Sequence, residues 1–521
     1  MDDPRGQPPA SDGISLAAAE WNAGRRAFHR SPHGSARGPV CGMGVCHECR
    51  TTVDGQPHVR TCGRSARPDT RIGDVATAWY KLPRGGAQRR KPDAVTHFPS
   101  VAVLGAGPAG LTAAVHAAEA GASVLLLDEN PRPGGQIWRC DHATGAPPPA
   151  HDMHRRAYDA GVSTLVGARV VHAGPPTRLF ALDADDRVHD IRAEDVVLAT
   201  GARELLLPFP GWTLPGVMGA GGLQALAKNG LDVRDRRIVV AGSGPLLLAV
   251  AAALRERGGR ILAIVEQAPR RRVLGLGPRL LAHPSKLARG LKLTHALRGV
   301  RRLYSSWIVS ADGSSDDGES LASIDVHTPG GSESIPCDLV AYGCGLVPQT
   351  EVAQSLGCRL ESGAIGVDQD QRTSVDHVFA AGEVCGVAGL DAALVEGAIA
   401  GLAAAGRTAA ASGLRRRRDR ERRFARTFLA AWTLDDRLRA LPTDDTIVCR
   451  CEDVPFGAVR FHTDPRDAKL RTRCGMGPCQ GRMCGPALRW ILGWRLDTVR
   501  PPYSPVPLEA LATIGACVQA R

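Results

Sequence analysis

Two stretches of the chain share one pattern of apolar and small positions. In VAVLGAGPAGLTAAVHAAEAGASVLLLDEN (101–130), a β-branched apolar run breaks at a glycine turn, passes into an Ala-rich segment with helical spacing, and returns to a second apolar run. That order predicts a strand, a helix and a second, parallel strand. RIVVAGSGPLLLAVAAALRERGGRILAIVE (237–266) predicts another such unit. DVVLATGA (195–202) and HVFAAGEV (377–384) read as further strands, each ending in a turn of small residues. Residues 410–440 include RRRRDRERRFARTFLAAW, a charged helix with Phe424, Phe428, Leu429 and Trp432 along one stripe, expected to be a solvated connector between domains. KLPRGGAQRRKPDAVTHFPS (81–100) has the polar Pro/Gly/Arg composition of a linker.

Repeated strand–helix–strand units make this an α/β protein. In the first unit, Gly105 makes the tight turn, Gly107 lets backbone reach a pyrophosphate, and Gly110 lets the helix pack close on the strand. Pro108 and Ala109 complete the loop at the helix N-terminus, whose partial positive charge faces phosphates. Asp128 ends the second strand, where an acid binds ribose hydroxyls; its neighbour Glu129 is the alternative. Strand, helix, second strand and acid together predict a dinucleotide. Gly134, Gly135 and Gln136 in the loop after that strand, Thr200 and Gly201 in ATGA, and Gly382 and Glu383 in AAGEV favour FAD, with Glu383 able to accept a hydrogen bond from a ribityl hydroxyl.

The second unit keeps Gly242 and Gly244 but has Leu247 at the third position, which is expected to spoil a pyrophosphate pocket. Glu266 at its strand end favours NAD over NADP, against the nearby Arg270, Arg271 and Arg272. A retained fold with a degraded site is the reading.

Composition narrows the classes. At 521 residues the chain exceeds one ordinary core. A net charge of +12 raises nucleic acid or an anionic surface as partners, but only six of the 65 basic residues are lysine, so the excess reads as arginine coding bias. Aromatic residues at 4% give little to stack on bases, and no nucleic-acid partner is expected. No apolar run is long enough for a transmembrane helix. The acidic, polar start shows no secretory signal, so the expected location is cytoplasmic, and the 15 cysteines then point to metal rather than disulfides.

Cys41, Cys46, Cys49 and Cys62 have the C-x4-C-x2-C spacing, with a distant fourth cysteine, of a plant-type [2Fe–2S] site. Gly42 and Gly44 free the loop to turn backbone amides toward the sulfurs. A zinc ribbon would need two C-x2-C knuckles, and only one is present. At the other end stand Cys449, Cys451, Cys474, Cys479 and Cys484, a C-x-C followed by two overlapping C-x4-C pairs. Spacing does not choose between those pairs, and zinc competes with iron–sulfur there.

PRPGGQI, LPFPGWTLPGVM, AGSGPLLLAVAA, IVCRCEDV and RCGMGPCQGRMCG together resemble the FAD-containing subunit of multisubunit amine and imino-acid dehydrogenases, over about residues 100–495. That family includes the A subunit of opine oxidase, the large subunit of D-hydroxyproline dehydrogenase and a hydrogen cyanide synthase subunit. RGPVCGMGVCHECRTTVDGQPHVRTC is similar to the small ferredoxin-like subunit of the same complexes, so the chain reads as two subunits fused. The resemblance implies FAD and two [2Fe–2S] clusters, with Cys449, Cys451, Cys479 and Cys484 as ligands of the second and Cys474 as their neighbour. The gap from Cys451 to Cys479 is shorter than in relatives, so the helix inside it is expected to be trimmed.

The resulting expectation is a two-dinucleotide-binding-domain α/β flavoprotein fold. A truncated β-grasp ferredoxin-like domain spans 1–80, in which residues from Ile14 form the helix that normally follows a first hairpin. A linker covers 81–99. The FAD-binding domain comes in two parts, 100–231 and 337–406, around a second Rossmann-like domain at 232–336. A linker helix (407–444), a small helical [2Fe–2S] domain (445–500) resembling bacterioferritin-associated ferredoxin, and a tail (501–521) follow.

Amine oxidation would then fall to a partner flavoprotein of the D-amino-acid-oxidase type, and this chain would carry electrons to an acceptor within a hetero-oligomer. No catalytic acid or base is assigned. The alternatives are an NAD(P)H-dependent reductase, a redox sensor using the basic helix at 414–426 on DNA, and a self-sufficient oxidase.

Overall fold

The computed structural model describes residues 13–73, 94–314, 318–494 and 499–519. The expected linker at 81–99 lies, up to residue 93, outside them. The chain divides into two compact units, one made of Met1–Lys81, Glu204–Leu346 and Phe428–Leu496, the other of Leu82–Arg203, Val347–Thr427 and Asp497–Arg521.

The second of these carries GAGPAG and is built on a parallel five-stranded sheet. Its strands lie in the order Val378–Ala380, Asp195–Leu198, Val101–Leu104, Val124–Asp128, Ser163–Val166. Chain order reverses between Val101–Leu104 and Asp195–Leu198, and such a switch point opens a crevice at the strand C-termini. Helix Pro108–Glu119 packs against helix Leu390–Ala404 through small residues. A Cβ on Gly397 would fall 2.2 Å from the Ala109 carbonyl oxygen, and one on Gly401 2.2 Å from that of Ala113. Larger residues there would force the helices apart, at a cost of ~1–3 kcal/mol or more.

An antiparallel meander (Arg169–Gly174, Arg178–Leu182, Val188–Arg192), with Val95–His97 added in parallel, flanks this sheet's connections. The expected tail does not trail away. Tyr503 is buried and its hydroxyl accepts the Ala173 N–H at 3.1 Å. Helix Leu508–Gln519 then lays Ala510 and Ile514 on Val171, Phe180 and Leu182 of the meander.

The cysteine-bearing unit holds the second parallel sheet, in the order Val217–Gly219, Leu339–Gly343, Arg237–Gly242, Arg260–Glu266, Arg301–Tyr304. Because Val217–Gly219 pairs with Leu339–Gly343, residues 204–231 and 337–346, expected with the FAD-binding domain, belong to this unit instead. The chain crosses between units at 203/204 and 346/347.

The N-terminal region has the expected helix, Leu16–Asn22, capped by the Ser15 hydroxyl, and two short hairpins, His29–Arg30 with Ala36–Arg37 and Arg50–Val53 with Gln56–Arg60. One core joins the Cys41–Cys46 loop, the second sheet and the C-terminal region, since Val40, Val45, Phe209, Val340, Leu441 and Ala487 pack in a single cluster. Between the C-terminal cysteines, helices Phe456–Val459 and Pro465–Thr472 fill the shortened gap.

The basic helix Ser412–Leu429 is not a free connector. Arg415, Arg418 and Arg422, on one of its faces, bond Asp370, the Asp368 carbonyl and buried Glu396.

Candidate flavin and iron–sulfur sites

The glycine loop is dictated by close backbone approach. A Cβ on Gly105 (φ +97°) would sit 2.3 Å from the Ala199 carbonyl oxygen, and one on Gly110 1.7 Å from that of Gly105. At Gly107 a Cβ would meet only the Gly135 Cα, at 3.8 Å, so the middle glycine faces open space where a pyrophosphate approaches. The PRPGGQ loop lies directly on this turn. The Gly134 N–H donates to the Ala106 carbonyl at 2.7 Å, and Gly135 (φ +60°) leaves no room for a side chain against Gly107. Arg139 donates to Gln136 and Asn130, fixing the loop's far side.

Asp128 is buried, and its carboxylate accepts from the Ala106 and Asn130 N–H groups and the Asn130 side chain. It braces the glycine loop, which leaves Glu129, half-buried beside it, nearer to solvent. Burial raises the Asp128 pKa against the lowering effect of those hydrogen bonds. Thr200 and Gly201 are held by Gln349, which donates to both their carbonyls and accepts from the Thr200 hydroxyl.

Gly382 (φ +83°) presents its N–H to Glu396, the buried carboxylate that also pairs with Arg422. Glu383 accepts from the Gly389 N–H at 2.7 Å through one oxygen. Its other oxygen, Oε2, is buried with no hydrogen-bond partner. A buried orphan acceptor beside a glycine-lined crevice fits a ligand hydroxyl, and burial raises the Glu383 pKa. All the predicted flavin residues therefore fall in one unit and meet at one switch point.

The second glycine loop is covered by the chain itself. Gly244 donates to Glu266 at 3.0 Å, and Ala268 donates to the same carboxylate at 2.9 Å. The Trp432 side chain hydrogen-bonds Glu266 as well, and burial still pushes that carboxyl up to about 7. Ser243, inside the loop, donates to the Trp432 carbonyl, and Gln267 spans Ser243, Trp432 and Asp435. Leu247 is fully buried among Val250, Ala251 and Leu254.

The N-terminal thiols form two pairs. Cys41 and Cys46 hydrogen-bond one another, as do Cys49 and Cys62. Backbone amides reach the sulfurs: Met43 and Cys46 donate to Cys41, Glu48 to Cys46 and Cys62 to Cys49. Two pairs of buried thiols ringed by N–H donors fit a two-iron cluster with two ligands per iron. The loop rests on helix Ala220–Lys228, where a Cβ on Gly222 would meet the Val40 carbonyl at 2.0 Å.

At the C-terminal end the ligand atoms of Cys449, Cys474 and Cys484 lie within 4.8 Å of one another. Cys451 and Cys479 form a separate hydrogen-bonded pair. Cys474 is thus as close to Cys449 and Cys484 as a ligand would be, which its overlapping spacing left open.

The two cysteine groups also meet each other, through residues that spacing does not reveal. Arg450, between Cys449 and Cys451, pairs with Glu48, between Cys46 and Cys49, at 3.0 Å with both side chains buried. Arg450 also donates to the carbonyls of Trp212 and Thr213 and lies over the Trp212 ring. Arg37 pairs with Asp453 in a second buried contact, and the Trp212 indole donates to Ile447. The LPFPGWTLPGVM segment thereby clamps the C-terminal cysteine region.

All fifteen cysteines are free. Among the described residues, no helix is long and apolar enough to cross a membrane.

Comparison with known proteins agrees with this geometry. Residues 99–409 match the pyridine nucleotide-disulphide oxidoreductase family, and residues 7–75 match the 2Fe-2S iron-sulfur cluster binding domain. The A subunit of opine oxidase from Rhizobium meliloti is 33% identical over 80% of this chain and 88% of its own length. Hydrogen cyanide synthase subunit HcnB of Pseudomonas aeruginosa is 32% identical over 79% of this chain and 98% of its own. The crystal structure of L-proline dehydrogenase from P. horikoshii shares the fold, with a TM-score of 0.69 at 18% identity, over 96% of this chain and 95% of that one. The chain therefore belongs to the pyridine nucleotide-disulphide oxidoreductase family, as a flavin- and 2Fe-2S-containing oxidoreductase subunit of the group that includes the A subunit of opine oxidase.

Proposed function

We propose that the chain is the electron-transfer subunit of a multisubunit dehydrogenase or oxidase acting on an amine or imino acid, with FAD in one unit and two [2Fe–2S] clusters in the other. The observation that carries this reading is the buried joint between the cysteine groups, Glu48 to Arg450 and Arg37 to Asp453. A joint of that kind would hold two one-electron sites side by side. FAD supplies two-electron acceptance with one-electron release, and the clusters each carry one electron.

The chain's own residues do the holding. Gly105, Gly107 and Gly110 with the N-terminus of helix Pro108–Glu119 would receive the pyrophosphate. Asp128 braces that loop, Glu129 would take the ribose hydroxyls, and Glu383 Oε2 would take a ribityl hydroxyl. Cys41, Cys46, Cys49 and Cys62 would hold one cluster, and Cys449, Cys451, Cys479 and Cys484 the other.

The covering of Glu266 by Trp432 and of Ser243 by the same segment favours this over an NAD(P)H-dependent reductase, because the groups that would meet a nicotinamide dinucleotide are engaged internally. That relatives are subunits of opine oxidase and sarcosine oxidase supports a hetero-oligomer; in this reading the substrate would bind a partner flavoprotein. The test is an imino-acid oxidation assay on the purified chain alone and with a partner subunit of the D-amino-acid-oxidase type. Activity should require both; oxidation by the isolated chain would replace this reading with a self-sufficient oxidase.

A further inference from the structure

A [2Fe–2S] cluster takes four thiolates, two on each iron, yet five buried thiols converge at the C-terminal site. Their arrangement is unequal. Metal–sulfur bonds of ~2.3 Å at a tetrahedral centre place two ligand sulfurs about 3.8 Å apart. Cys449, Cys474 and Cys484, within 4.8 Å of one another, form a set from which one metal ion would draw two ligands, while Cys451 and Cys479 form a separate pair for the other.

Local structure explains why Cys474 joins that set. Helix Pro465–Thr472 ends at Arg473 in the left-handed conformation (φ +65°), which turns the chain sharply. The Cys474 N–H is held by the Thr472 hydroxyl at 3.2 Å, and the next N–H, of Gly475, donates to the Cys449 sulfur at 3.4 Å. Cys484 joins them as the first residue of helix Cys484–Leu492. Gly477 lies directly against the other pair, since a Cβ there would sit 2.2 Å from Cys451 Cβ.

We propose that Cys474 is a reserve ligand for one iron of the C-terminal cluster, able to replace Cys484 but neither Cys451 nor Cys479. This rests on the reading that the C-terminal site holds a [2Fe–2S] cluster. The chemistry is ligand exchange alone: one iron–sulfur bond is lost and another forms to a deprotonated thiol, with no change in oxidation state.

The test uses the full-length chain purified anaerobically as wild type, C474A, C484A, C474A/C484A, C451A and C479A. Iron, acid-labile sulfide and FAD per chain are measured, with the EPR spectrum of the reduced protein. Retained FAD and the N-terminal cluster's signal report that each variant is folded. Wild type, C474A and C484A should keep about four irons per chain, with an altered C-terminal signal only in C484A. The double variant, C451A and C479A should fall to about two. Loss of the cluster in C484A alone, or its survival in C451A, would overturn the proposal. About two irons or bound zinc in the wild type would instead remove the reading beneath it, and an altered signal in C474A would make Cys474 a resident ligand rather than a reserve. Loss of FAD together with both clusters in C484A would also overturn it, since a reserve ligand leaves that variant intact.

Discussion

Replacing Arg450 with leucine tests the joint between the two cysteine groups. The Arg450 and Glu48 side chains are 3% and 2% exposed, so the ion pair is out of water on both sides. Removing the guanidinium leaves a buried carboxylate without its partner, which costs ~3–5 kcal/mol. The carbonyls of Trp212 and Thr213 each lose a charged donor, adding about 1 kcal/mol apiece. A single domain is stabilised by only ~5–15 kcal/mol, so the variant should stand near the edge of folding. Changing Glu48 to leucine in the same chain removes the stranded charge but not the stranded carbonyls. The double variant should therefore recover about 2–3 kcal/mol of the loss. The assay is urea unfolding of wild type, both single variants and the double variant, followed by cluster absorbance and far-ultraviolet circular dichroism. An interaction energy of at least about 1.5 kcal/mol is expected; a value below about 0.5 kcal/mol would refute the claim that this pair joins the two groups.

The flavin site makes its own predictions. Gly110→Ala forces a methyl against the Gly105 carbonyl and should abolish FAD retention, measured as extractable flavin per chain. Glu383→Gln replaces the orphan acceptor by a donor in one orientation and should weaken FAD binding by about 10-fold or more, read by flavin titration of apoprotein. Mixing the protein with NADH should leave the flavin unbleached, because Trp432 and Gly244 hold Glu266; rapid bleaching would restore the reductase reading. Glu266 also sets a pH dependence. Its folded pKa, about 7, lies above the unfolded carboxyl value, so the folded state binds the extra proton and stability falls as pH rises through roughly 4.5 to 7. Glu266→Gln should flatten that fall by ~1–3 kcal/mol in the unfolding free energy measured by denaturant titration between pH 5 and pH 8.

The glycine loops are legible in the sequence because close backbone approach tolerates no other residue, and Glu383 because an acid after a small strand-end turn has few structural duties. The two N-terminal thiol pairs, the proposed ligands of one cluster, are legible from spacing alone. What the sequence hides lies in contacts between distant residues. Glu48 and Arg450 stand 402 positions apart, and each reads as an ordinary charge between cysteines. Trp432 reads as part of an apolar helical stripe, whereas its indole reaches Glu266. The crossover at 203/204 escapes a sequence reading because Val217–Gly219, three residues long, is too short to show a period. The last helix reads as a tail because prolines precede it, and its burial depends on Phe180 in a meander more than 300 residues earlier. The arginines at 415 and 422 read as a solvated face because their acidic partners, Asp370 and Glu396, lie in other segments.

In the proposed function, one chain carries one FAD and two [2Fe–2S] clusters. This is tested most directly by measuring iron, acid-labile sulfide and extractable flavin per chain on anaerobically purified protein. One FAD with about four irons and about four sulfides is expected. Zinc in place of iron, or protein without flavin, would contradict it.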